Sequence, residues 1–104
     1  MSAVNLIVLY PQPLDIPQFE QDYREHLQLF HQKTNIPLEH KPYTVTRFLP
    51  LGPDKPAFYQ MFSLPLPSLE ALQQMLMSPQ MQEVAADAAR ISTGGAPVVL
   101  VGTD

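Results

Sequence analysis

The sequence predicts an α+β protein with the element order β-α-β-β-α-β. Three observations carry this. Four short apolar or alternating segments are separated by two longer stretches with helical periodicity, helix-capping residues stand where those stretches begin, and the prolines fall between elements or at two of the strands. Val4 to Tyr10 is rich in β-branched and aliphatic residues and stops at Pro11, so it reads as strand one. Asp15 is placed as a helix N-cap, with Pro17 in the first turn and Gln18 at the capping-box position. Phe19, Tyr23, Leu27 and Phe30 then form one helical face, and Asn35 with Pro37 ends the helix near Thr34.

Strand two is expected over Glu39 to Leu49, with Tyr43, Val45, Arg47 and Leu49 on one side. A turn-rich loop, Pro50 to Pro56, leads to strand three, Ala57 to Leu64, which Pro65 and Pro67 break. Ser68 caps a helix carrying Leu69, Leu72, Met75 and Leu76. Ser78-Pro79 restarts it, and Met81, Val84, Ala85 and Ala88 point inward. Gly94-Gly95 is expected to supply a left-handed stop, and Pro97 to Val101 is strand four. This is the ferredoxin-like pattern: a four-stranded antiparallel sheet in the order 4-1-3-2, with the helices on one face. Pro42 and Pro97 then fall in edge strands, where a missing N–H is tolerated.

The composition fits one domain over residues 1–104. Apolar residues make up 45% and charged residues 15%, enough to build a core. The net charge is −4 and the six basic residues are scattered singly along the chain, which argues against nucleic-acid binding. The absence of cysteine removes disulfides, thiolate metal sites and cysteine nucleophiles. The longest apolar runs, Leu6 to Tyr10 and Ala96 to Val101, are far short of the roughly 20 residues of a membrane span, and no charged leader opens the chain, so a cytoplasmic location is expected.

Two helices cover only one face of such a sheet, yet strands one, three and four carry large apolar groups on both sides. A second copy packing sheet to sheet by two-fold symmetry is the simplest cover, so a homodimer is expected.

The segments Leu6 to Pro13, the Phe19/Tyr23/His26 helix, Gly52 to Phe62, Ser68 to Pro79 and Ser92 to Gly102 together resemble the ethyl tert-butyl ether degradation (EthD-like) family over nearly the whole chain. The resemblance implies the dimeric α+β barrel superfamily. That superfamily includes cofactor-free monooxygenases, haem-handling enzymes, isomerases, cyclases or dehydratases, and stress-induced domains, so the fold carries over and the activity does not. The family places a histidine four residues after the tyrosine. Here Leu27 occupies that position and the histidine is His26.

His26 is the leading candidate for acid–base chemistry, because it borders the apolar face of helix one. Asp22, four residues earlier, is positioned to bond one ring nitrogen. The plainer alternative is a core histidine bonded to Asp22 or a carbonyl. Tyr23, Phe30, Tyr10 and Tyr59 suit a pocket between the sheet and helix one, though aromatic residues also fill cores by default. Arg47 is suited to an anionic substrate group, or to a surface carboxylate. His31 lies about 140° around the helix from His26 and His40 is isolated, so no metal site is expected. No cofactor is called for. One histidine would suffice as an axial haem ligand, and the sequence leaves that open. Gly94-Gly95 follows a helix rather than preceding one, so it is no phosphate loop, and no serine has a nucleophile-elbow context. Two functions remain. One is a small-molecule-binding enzyme, of oxygenase, isomerase or dehydratase type, acting on an aromatic or ether-derived compound. The other is a non-catalytic dimeric module acting through a partner protein.

Overall fold

A computed structural model describes residues 3–103. The elements are β1 (Val4–Pro11), α1 (Ile16–Thr34), β2 (Thr44–Arg47), β3 (Phe58–Leu66), α2 (Leu69–Met77), α3 (Pro79–Ile91) and β4 (Val98–Thr103). They form a ferredoxin-like fold. The four strands are antiparallel in the order β2-β3-β1-β4, which is the expected 4-1-3-2 read from the other edge.

The caps stand where the sequence places them. Asp15 accepts from the Gln18 amide at 3.1 Å and Ser68 accepts from the Ala71 amide at 3.1 Å. Asn35 closes α1 at φ 58°, a left-handed position that asparagine tolerates. Ser78 serves two helices at once. Its hydroxyl donates to the Met75 carbonyl at the end of α2 and accepts from the Met81 amide at the start of α3. Its extended backbone, φ −70° and ψ 144°, breaks the rod between them.

The strand limits differ from expectation where proline and pairing intervene. β2 is four residues rather than eleven, since residues 37–42 turn on a His40 to Pro37 hydrogen bond. Pro42 and Pro97 therefore lie just before β2 and β4 rather than within them. β3 continues through Pro65 to Leu66 because β2 ends opposite Ser63. Past that point β3 is locally an edge, where no partner needs the missing N–H. The glycine pair also has another role. The Ser92 amide caps α3 before either glycine is reached. Gly95 adopts φ +143°, and Gly94 is pressed so close to residue 12 that a Cβ would lie 1.7 Å from the Gln12 carbonyl oxygen.

Val4, Leu6, Phe30, Phe62, Leu64, Leu72 and Val84 form one part of the core, and Tyr10, Phe19, Tyr23, Tyr59, Ala88 and Ile91 form the other. Val8 and Leu27 pack against both. Strict strand alternation puts Tyr59 on the far side of the sheet, and the structure does not. A register shift opposite Tyr10 and Pro11 makes a bulge, and the bulge turns Tyr59 to the helix side against Phe19. His31 is also buried. Its Nδ1 lies 3.1 Å from the Ile36 carbonyl, which fixes the proton there, and its Nε2 accepts from the Tyr43 hydroxyl at 2.8 Å. The pair ties the end of α1 to the chain entering β2.

The opposite sheet face is largely apolar at its centre. In register there lie Leu9 with Met61 and Val98, and Ile7 with Leu100. Val98 and Leu100 are 37% and 47% exposed.

Candidate active site

The helix side of the sheet holds a cavity of about 90 Å³, bounded by β1, β3 and β4 below and by α1 and α3 above. Its wall is aliphatic and aromatic apart from His26 and Tyr10. His26 comes from α1 because it follows Tyr23 by three residues on the buried stripe, and it is 6% exposed.

The partner of His26 is Asp87 and not Asp22. The imidazole Nδ1 lies 2.9 Å from Asp87 Oδ2, whereas Asp22 accepts from the Gln18 side chain at the helix surface. Asp22 sits one turn back along α1. Asp87 reaches across from α3, the helix that packs on α1. Asp87 is in turn held by Arg90, whose Nε donates to Oδ1 at 2.9 Å. The carboxylate fixes the proton on Nδ1, so the lone pair lies on Nε2, which makes no hydrogen bond with the described residues.

Burial lowers the His26 pKa below its ordinary 6.5, although Asp87 pulls the other way. Burial alone would raise the Asp87 carboxyl, but the hydrogen bonds from His26 and Arg90 outweigh it and hold it low. Burial and then the Asp87 charge push the Tyr10 phenol far up, so it keeps its proton. At neutral pH the cavity wall thus holds an unprotonated imidazole nitrogen and a protonated hydroxyl.

These shifts give a pH signature. Below 6.5 an unfolded chain binds a proton at His26 that the folded chain resists, so stability falls as pH drops from 6.5 toward the lowered His26 value. Asp87 adds a second loss below 3.8, as its folded carboxyl is protonated. The His26 ring resonances should titrate below 6.5 by NMR, and Asp87→Asn should move them lower still. Titration above 6.5 would show that burial does not dominate.

Of the other candidates, Phe30 and Tyr10 line the cavity and Tyr23 and Tyr59 do not. Tyr23 stacks on Phe19 and Tyr59 donates to Glu20 at 2.9 Å. Arg47 pairs with Glu20 and lines a separate groove between α1 and β2. Asp87 escapes a reading of the sequence alone, although it falls on the α3 stripe of Val84, Ala88 and Ile91. A carboxylate in a buried stripe is a signal in itself.

The class defined here is a ferredoxin-like α+β protein with a buried imidazole–carboxylate pair beside an apolar cavity. No family model and no curated protein matches the chain. Among solved structures, it is similar to an ethyl tert-butyl ether degradation (EthD) family protein from Bacillus halodurans, with 25% identity, 98% of each chain covered and a TM-score of 0.80. It shares its fold with a dimeric ferredoxin-like protein of unknown function from a Jannaschia species (11% identity, 97% of each chain, TM-score 0.67). It also shares it with the hydroxynitrile lyase of Passiflora edulis (20% identity, 99% of this chain and 94% of that one, TM-score 0.67). The similarity to the EthD family protein thus extends over nearly the whole length of both chains.

Proposed function

We propose that this chain is a homodimer in which each copy binds a small, largely apolar carbonyl compound and uses His26 as a general base on it. The observation that carries the reading is the His26 ring, oriented by Asp87 and turned with its lone pair unclaimed in the wall of an apolar cavity. Proton abstraction next to a carbonyl needs a base and a donor for the oxygen on which charge develops. Nε2 of His26 supplies the first and the Tyr10 hydroxyl the second. The low dielectric of the cavity strengthens both, and Asp87 stabilises the imidazolium that forms. Dimerisation is supported by the apolar sheet face and by the dimeric description of a neighbour of the same fold. The hydroxynitrile lyase is a neighbour whose name denotes chemistry on a small molecule.

The test is exchange of the α-protons of cyclohexanone in deuterium oxide, followed by proton NMR. The wild-type protein should accelerate exchange over buffer. His26→Phe should lose about a hundredfold or more of that acceleration, the usual share of a general base. No acceleration by the wild type, or full acceleration in His26→Phe, would overturn the reading in favour of a non-catalytic module acting through a partner protein.

A further inference from the structure

Three of the six basic residues that look scattered in the sequence converge in the fold. Arg24 of α1, Lys41 of the following loop and Arg47 of β2 line one groove of about 330 Å³ on the helix side of β2. The carboxylate in its wall, Glu20, is taken by Arg47 and by the Tyr59 hydroxyl. Arg24 and Lys41 have no carboxylate partner among the described residues, so the groove is electropositive on a chain of net charge −4.

Two buried polar atoms belong to the same groove. The Tyr23 hydroxyl and the Gln60 side-chain amide nitrogen lie close to one another, yet neither makes a hydrogen bond of normal geometry, in residues only 6% and 2% exposed. Leaving such groups unpaired is costly, so paired orphans beside unpaired cations call for an explanation. Both can donate, and the wall beside them is apolar at Leu27 and Val45.

We propose that this groove binds a small organic carboxylate. The two carboxylate oxygens accept from the Tyr23 hydroxyl and the Gln60 amide, Arg24 and Lys41 supply the charge, and the organic body rests on Leu27 and Val45. An inorganic anion would leave that apolar wall uncovered. The site is independent of the His26 cavity, whose lining shares no residue with it.

The probe is benzoate, titrated into nitrogen-15-labelled protein at millimolar concentration, with benzamide and inorganic phosphate as the other two arms. Benzoate should shift the Gln60 side-chain amide resonances saturably, and benzamide and phosphate should bind more weakly. Tyr23→Phe removes only the hydroxyl and should weaken benzoate by about tenfold. Lys41→Ala, at an exposed position, should weaken it by severalfold without touching the fold. Absence of saturable shifts with benzoate, equal binding of benzamide or phosphate, or unchanged benzoate affinity in both variants would overturn the proposal.

Discussion

Replacing Leu9 with glutamate is expected to turn a dimer into a folded monomer. Leu9 lies on the central strand, in register with Met61 on one side and Val98 on the other, at the middle of the sheet face that the helices leave open. In a two-fold assembly through this face, both copies would bury the new carboxylate in an apolar contact with no counter-charge. Such burial costs several kcal/mol, so dimer affinity should fall by about a hundredfold or more. The monomer itself should survive, because position 9 is not part of the core that α1, α2 and α3 cover. Sedimentation at micromolar concentration should give twice the chain mass for the wild type and the chain mass for Leu9→Glu. A wild-type protein that sediments as a folded monomer would remove the dimer from the reading.

Gly94→Ala is expected to be the most damaging small substitution. The new Cβ would lie 1.7 Å from the Gln12 carbonyl oxygen and 2.8 Å from its carbon, both backbone atoms. The segment cannot easily give way. The Gln12 side chain is tied to the Pro56 and Phe58 carbonyls, Pro11 and Pro13 flank it, and the Leu14 amide is bonded to Thr93. The loss should reach about 3 kcal/mol, the upper range for overpacking, and lower the melting midpoint by roughly 10–20 °C. Gly52→Ala is the matched control. Nothing lies within 4 Å of its added methyl, so its midpoint should barely move. A Gly94→Ala protein as stable as that control would mean the two loops separate freely.

The sequence makes the architecture readable because its signals are local. Asp15, Ser68 and Ser78 each act within three residues of themselves, and an alternating or helical stripe shows its buried side without knowledge of the partner. The site is harder because its bonds are distant. His26 and Asp87 are separated by 61 positions, so the acid one turn back along the helix, Asp22, is the natural but mistaken partner. Tyr59 is hard to place for a different reason. Strict alternation puts it on the far face, and only the pairing register reveals the bulge that turns it over. The convergence of Arg24, Lys41 and Arg47 is hidden in the same way, since each belongs to a separate segment.

Ser78 has one further consequence. As the sole residue between α2 and α3, it leaves no slack in the chain. Inserting or deleting a single amino acid inside α3 before position 87 would rotate the remainder of that helix by about 100°. That would carry the acid away from the imidazole it orients. Descendants of this scaffold that change ligand while keeping the proton-transfer pair should therefore vary by substitution along the cavity wall, with the length of this stretch held constant.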